Sequence, residues 1–264
     1  MVIACYRQYA LLQRTLLSLT RQSFTDFEVV LADDGSGPEM AALAESFQGR
    51  FAHGLQHIFH DDDGFRKTII VNRAVVAAKG DYLLFLDADC LAHRHFVARH
   101  YARRQPGAVL SGRRILLGET RTQQLTDAHI TSGAFEKLSF WWGKTEDGKH
   151  KRGFYLPWLF PWLRLSRKPY WAFGSNFSLF KADFVAVNGY DEDILGRGME
   201  DINLSARFVL MGYPIHRLTY EALQYHQFHH SKPVPHDEVS RQKMANPQEA
   251  RVANGIDKWL KHAH

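Results

Sequence analysis

The sequence predicts an α/β fold with a largely parallel sheet, and three observations carry that reading. Through residues 1–92, short apolar runs of strand length alternate with segments of helical periodicity. Each apolar run closes on a polar cluster, at 5–8, 33–36 and 87–89. Ligands of open α/β sheets bind beyond the carboxyl ends of the strands, which is where these clusters fall.

Taken in order, residues 1–5 (MVIAC) read as a buried strand that begins without a leader. Leu11, Leu12, Thr15, Leu16 and Leu19 then recur at helical spacing, giving an amphipathic helix to about Arg21. Residues 27–32 are a second buried strand, stopped by the loop signal of residues 33–38 (DDGSGP). Helical periodicity resumes over 39–48, and 57–59 is a short strand. Residues 68–79 form a helix with Ile69, Ala74, Val75 and Ala78 available for an inner face. The apolar strand 81–86 ends in Asp87-Ala88-Asp89, and 202–211 is a later helix behind a glycine loop. The expected organisation is 1–92 as a nucleotide-binding half, 93–232 as the second half of the same domain, and 233–264 as a polar tail.

Composition removes several classes of protein. The chain has 264 residues, 45% of them hydrophobic and 13% aromatic, which excludes an intrinsically disordered chain. That length permits a core burying roughly three quarters of the unfolded surface. No run approaches about 18 uncharged apolar residues, so no helix is expected to span a membrane. Arg7 and Arg14 interrupt any N-terminal apolar region, and the 2 cysteines, Cys5 and Cys90, cannot build a disulfide framework. A reducing, cytoplasmic setting is the expectation. The formal net charge of +5 suits anionic ligands or surfaces without indicating nucleic acid. No Gly-x-Gly-x-x-Gly follows the first strand and no P-loop exists, so two common nucleotide sites are excluded.

Three clusters can carry chemistry. Asp87 and Asp89 would repel each other at a strand end unless a hard divalent cation joined them; carboxylate oxygens suit Mg²⁺ or Mn²⁺. Glu200 and Asp201 follow a glycine-rich loop at a helix start; they are either helix-start charges or a general base and its neighbour. His226, His229 and His230 offer imidazoles that can complete a metal site, while the His-Glu-x-x-His of zinc hydrolases is absent. Between 140 and 171, Trp141, Trp142, Trp158, Trp162 and Trp171 are interleaved with Lys and Arg. That segment reads as core packing, a sugar-stacking acceptor loop, or a contact with an anionic membrane surface.

In this order the clusters resemble a GT-A fold glycosyltransferase of family 2, with a C-terminal half similar to the β-1,4-galactosyltransferase and chondroitin-polymerase group. The stretches that carry the resemblance are TLLSLTRQSFTDFEVVLADDGSG (15–37), DDDGFRKTIIVNRAVVAAKGDYLLFLDADC (61–90), WAFGSNFSLFKADFVAVNGYDED (171–193), GRGMEDINLSARFVLMGY (196–213) and YHQ (225–227). The resemblance implies a single GT-A domain and an inverting, metal-dependent transfer of a hexosyl or N-acetylhexosaminyl group. A UDP-sugar would be the donor and a glycan or glycolipid hydroxyl the acceptor. The process implied is bacterial surface polysaccharide synthesis, such as lipopolysaccharide, O-antigen or capsule.

The resemblance also implies roles. Asp34 would meet the nucleotide base and ribose, with Tyr6 and Arg7 near the same pocket. Asp63, Arg66 and Asn72 would lie beneath the nucleotide, and Gly174 and Asn176 beside the donor sugar. Asp87 and Asp89 would hold nucleotide and metal, with His226 as a further metal ligand and His229 as its rival. Glu200 and Trp171 would bind the acceptor, and Asp201 would be the catalytic base. Val71 stands where many relatives carry arginine, which leaves Arg66 and Arg73 as candidates for a phosphate contact. Two other readings are a nucleotidyltransferase, which would want a glycine-rich basic loop in place of residues 5–8, and a sugar- or membrane-binding module without catalysis.

Overall fold

The computed structural model describes residues 1–137, 155–158, 172, 174–196, 198–230, 238–245 and 247–261. Its strands are β1 (Val2–Cys5), β2 (Val29–Asp33), β3 (Leu55–Phe59), β4 (Tyr82–Asp87), β5 (Cys90–Ala92), β6 (Val109–Ser111), β7 (Arg113–Leu116), β8 (Asn176–Phe180), β9 (Ile215–Arg217) and β10 (Leu223–His226). Helices α1 (Tyr9–Leu19), α2 (Pro38–Ser46) and α3 (Lys67–Ala77) alternate with the first strands. They are followed by α4 (Phe96–Ala102), α5 (Glu119–Gln124), α6 (Asp127–Thr131), α7 (Lys181–Ala186), α8 (Glu200–Leu210), α9 (Glu238–Ala245) and α10 (Asp257–Leu260).

The main sheet has the order β3-β2-β1-β4-β8-β6-β9. Strands β3, β2, β1 and β4 are mutually parallel, as expected from the strand–helix alternation. Strand β8 runs antiparallel to both β4 and β6, and β9 is parallel to β6. Successive residues of each inner strand feed opposite faces. Ile3, Leu31, Leu84 and Leu86 join Leu12 and Leu16 of α1 and Met40 of α2 on one side. Val2, Val30, Leu83 and Phe85 join Ile70 and Val75 of α3, Phe184 of α7 and Phe208 of α8 on the other. Burial on both faces explains why these strands read as continuous apolar runs.

A second, three-stranded sheet in the order β5-β10-β7 positions the site. Strand β10 pairs antiparallel to β5 with His226 opposite Cys90, and the Gln227 N–H donates to the Asp89 carbonyl at 2.8 Å. This register fixes the histidine segment against the end of the Asp87–Asp89 turn. Among the described residues, no helix is long and apolar enough to cross a membrane. The expected aromatic segment, including Trp171, lies outside the described residues apart from 155–158, where Trp158 is 70% exposed.

Candidate active site

Beyond the carboxyl ends of β1, β2 and β4, the side chains form three adjoining groups. The first is Asp89, His226 and His229, whose ligand atoms all lie within 4.8 Å of one another. Asp89 Oδ2 is 2.8 Å from His229 Nε2 and 3.4 Å from His226 Nε2. Its other oxygen accepts a hydrogen bond from the Cys90 thiol at 3.0 Å, a thiol that burial keeps protonated. Burial opposes ionisation of Asp89, but the two imidazoles outweigh it and hold the carboxyl well below the ordinary range. Gln8 shares a hydrogen bond of 3.3 Å with His229 Nδ1, which orients the ring with Nε2 toward Asp89. The donor set of one carboxylate and two imidazoles fits a divalent cation of the Mn²⁺ type. His226 and His229, rivals in the sequence, both face Asp89. Asp87, expected as a ligand beside Asp89, is not part of this cluster: it is the last residue of β4, whereas Asp89 sits in the turn before β5, so the alternation that keeps i and i+2 on one face ends between them, and Asp87 faces Lys67 instead.

The second group surrounds Asp201. Lys67, the first residue of α3, places Nζ 3.2 Å from Glu200 Oε1, 3.6 Å from Asp87 Oδ1 and 3.9 Å from Asp201 Oδ2. Glu200 also accepts from the Gly198 N–H at 2.7 Å. The Tyr190 hydroxyl donates to Asp201 Oδ1 at 2.7 Å, and Gly174, just before β8, lies against the same carboxylate. One ammonium among three acids divides them. Burial raises Glu200, but the closer Lys67 reverses this and keeps it low. Burial also raises Asp201, Lys67 opposes only partly, and Glu200 and Asp87 add their repulsion, so its carboxyl is pushed up to about 7. For Lys67 itself, burial is outweighed by Asp201, Asp87 and Glu200, and the ammonium stays protonated. The side chain of Asp201 is 20% exposed, whereas that of Glu200 is 2% exposed. Glu200, expected at the acceptor, is therefore turned inward onto Lys67 and the glycine loop.

The third group is the loop edge beside β1 and β2. Tyr6 and Arg7 both donate to Asp62 Oδ2, at 3.0 and 2.6 Å. Asp34, which burial raises, accepts from the Arg66 backbone N–H at 2.9 Å and lies 2.7 Å from His60 Nε2. Gly35 takes a φ of +96°, and a Cβ there would strike the Asp62 backbone; its absence lets the 60–66 loop close over the 33–36 turn. Asp63, expected in this pocket, points outward and pairs with Arg66, while Asp62 makes the inward contacts.

Two expected donor residues are enclosed in the scaffold. Asn72 is fully buried: its amide donates to the Tyr190 carbonyl at 2.9 Å and to Glu192, and its oxygen accepts from the Tyr190 N–H at 2.9 Å. Asn176 is likewise buried, with its oxygen 2.9 Å from His100 Nε2 and its amide directed at the Arg113 and Ala222 carbonyls. Both act through neighbours rather than facing an open pocket. Lys67, Tyr190 and Asp62 escaped the sequence reading; of these, Lys67 stands beside Arg66 in the matched stretch, a signal without a motif.

Comparison with known proteins agrees with this fold. A family model described as glycosyl transferase family 2 matches residues 1–169, and one described as the N-terminal domain of galactosyltransferase matches 165–231. A validoxylamine A glucosyltransferase of Streptomyces hygroscopicus subsp. jinggangensis (strain 5008) is 31% identical over 232 residues, covering 81% of this chain and 52% of that protein. An uncharacterized glycosyltransferase of Bacillus subtilis (strain 168), YfnE, is 27% identical over 276 residues, covering 90% and 67%. The chain thus spans about half the length of the first of these relatives. Among solved structures, S. aureus TarS 1-349 in complex with UDP superimposes with a TM-score of 0.56 at 16% identity, over 85% of this chain and 58% of that one. The mannosyltransferase PcManGT from Pyrobaculum calidifontis, in complex with GDP-Man and Mn²⁺, gives 0.57 at 15% identity, over 86% and 55%.

Proposed function

Since the chain belongs to glycosyl transferase family 2, we propose that it transfers a sugar from a UDP-sugar to a hydroxyl of a glycan or glycolipid acceptor with inversion at the anomeric carbon. The observation that carries this reading is that the turn ending β4 bears a cluster able to hold a cation at Asp89 and, two residues earlier, Asp87, which meets a partly open carboxylate of raised pKa, Asp201, at the shared Lys67 ammonium. Those are the two devices such a transfer needs: charge neutralisation for a leaving diphosphate and a base for an attacking hydroxyl.

Asp89, His226 and His229 would hold the cation. Bound there, Mn²⁺ or Mg²⁺ supplies neutralisation of the charge that develops on the departing diphosphate. Asp201 Oδ2 takes the proton of the acceptor hydroxyl. The acceptor oxygen so deprotonated forms its bond to C1 of the donor sugar as the bond from C1 to the diphosphate oxygen breaks, and the electron pair leaves with UDP. A carboxylate raised to about 7 is a stronger base than an ordinary one, and a share of it on the order of one half is ionised near pH 7, rising above that pH. Tyr6, Arg7, Asp34 and Asp62 line the edge where the base and ribose would bind, and Asp87 shares the Lys67 ammonium with Asp201.

The UDP found with TarS is compatible with the nucleotide choice. Cell-surface polysaccharide synthesis at the inner face of the cytoplasmic membrane is the setting we favour, with the Trp- and Arg-rich segment meeting anionic lipid. The test is a panel of UDP- and GDP-sugars incubated with the protein, Mn²⁺ and candidate acceptors, scored for free nucleotide and for the anomeric configuration of the product. Turnover of one UDP-sugar with inversion supports the reading; retention, or release of nucleotide from none of them, overturns it.

A further inference from the structure

We propose that Lys67 and Tyr190 are positioning residues for the base, Lys67 acting as the shared counter-ion of Glu200 and Asp201 and Tyr190 fixing which oxygen of Asp201 faces the acceptor. This rests on the reading of Asp201 as the base. Glu200 and Asp201 are sequence neighbours at the N-terminus of α8, crowded further by Asp87 from β4. In a poorly solvated site, three acids so placed cannot all ionise unless a cation lies among them. Lys67 is that cation, within 3.9 Å of all three carboxylates and itself largely enclosed.

The arrangement is unequal, and the inequality gives it function. Glu200 lies nearer Lys67 and has a second donor in the Gly198 N–H, so it claims the greater share of the stabilisation. Asp201 keeps the weaker share and with it more basicity. Tyr190 then ties down Oδ1 and leaves Oδ2 as the oxygen that can accept a proton. Tyr190 is itself locked. Asn72 bonds both its N–H and its carbonyl, and buried Arg207 spans to the Val187 and Gly189 carbonyls at 2.8 Å. Among the described residues, the charged and titratable groups facing Asp201 are thus Lys67 from α3, Glu200 from its own helix, Asp87 from β4 and Tyr190 from the loop after α7.

The pH dependence of kcat/KM tests this, because each variant moves the acid limb in a set direction. Lys67→Met removes the counter-ion, so the limb moves to higher pH by about 1–3 units, with activity recovering as pH rises. Lys67→Arg retains the charge and keeps the limb near its original place. Tyr190→Phe moves it up by about 0.5–1 unit, the weight of one hydrogen bond. Glu200→Gln frees Lys67 for Asp201 and moves the limb down. Metal-dependent UDP affinity and thermal melts establish that each variant is folded. Should Lys67→Met fail to fold, Tyr190→Phe and Glu200→Gln, shifting in opposite directions, decide the matter. A pH-independent loss in Lys67→Met, or an unmoved limb in Tyr190→Phe and Glu200→Gln, overturns the proposal while leaving the base assignment intact. Full activity in Asp201→Asn overturns the base assignment itself.

Discussion

Gly174 and the Asp201 carboxylate share a space too small for one more carbon: a Cβ on Gly174 would overlap both carboxylate oxygens. Gly174→Ala therefore displaces the carboxylate rather than the backbone of β8, which is held on both sides by β4 and β6. A displacement near 1 Å at a reacting group lowers turnover by about 10²-fold. We expect kcat to fall by that order while Mn²⁺-dependent UDP affinity, measured by calorimetry, is unchanged. Loss of UDP affinity with kcat preserved would instead put Gly174 at the donor sugar alone.

Asp201→Asn keeps the shape of the side chain and removes its basicity, so transfer should drop by roughly 10²–10⁴-fold. Stability should move the other way. The folded carboxyl is raised to about 7, so the folded state holds this proton more tightly than the unfolded chain does. Its contribution to stability is complete below the ordinary carboxylate range and is lost as pH rises toward 7. The Asn variant is spared that loss. Its melting temperature should exceed that of the parent at pH 8 and match it near pH 4; equal melting temperatures at both pH values would contradict the raised carboxyl. An acceptor role for Glu200 has its own signature, a higher acceptor KM in Glu200→Gln with the acid limb unmoved.

His226→Ala and His229→Ala should each weaken Mn²⁺-dependent UDP binding by at least about tenfold, and Asp89→Ala should abolish it. Gln8→Ala should produce a smaller loss, since it only orients His229. With two nitrogen donors, Mn²⁺ should support tighter UDP binding than Mg²⁺, which prefers oxygen. Asp87→Asn tests the division between the two aspartates: metal affinity should survive. Loss of metal binding there would return Asp87 to the cation.

Trp158 is exposed beside the Trp- and Arg-rich stretch. Basic residues near an anionic bilayer contribute about 1 kcal/mol each, and salt screens them. Co-sedimentation with phosphatidylserine-containing vesicles should be measurable at low salt and decline as salt is raised. Failure to sediment with such vesicles at low salt would limit the segment to acceptor binding or packing.

Much of the first half was legible because its physics is local. The alternation of apolar runs and helical spacing located β1 to β4 and α1 to α3, and the polar strand ends located the site. The small sheet was not legible: β5 and β10 have 3 and 4 residues, too few to show a period. The antiparallel direction of β8 was hidden for another reason: Asn176 and Ser178 alternate with Phe177 and Leu179, yet all four are buried, and the direction is set only by pairing with the distant β4 and β6. Within the candidate site, Asp89 and Asp201 were singled out by the strand-end and helix-start acid pairs together with the family resemblance. The run Asp61-Asp62-Asp63 could not be sorted, because which of the three faces Tyr6 depends on the loop that Gly35 admits. Asn72 and Asn176 misled in the opposite sense, as polar residues in matched stretches whose partners are backbone groups of the scaffold. Lys67 had only its place beside Arg66 as a signal, since its meaning comes from acids on β4 and α8.

The pairing of β10 with β5 has a consequence for assembly. Asp89 and His229 are 140 residues apart in the chain. A cation bridging them would act as a reversible cross-link closing a very long loop, in a protein whose only two thiols are both free. Closing such a loop carries a heavy entropic penalty, so the metal pocket is completed only once the second half of the chain has returned to the first. Bound metal would then favour that closed state by mass action, by about 2.7 kcal/mol at a hundredfold excess over its dissociation constant. Resistance to heat would thereby become a function of cation supply, and chelation would loosen the seam between the two halves before it disturbed the parallel strands.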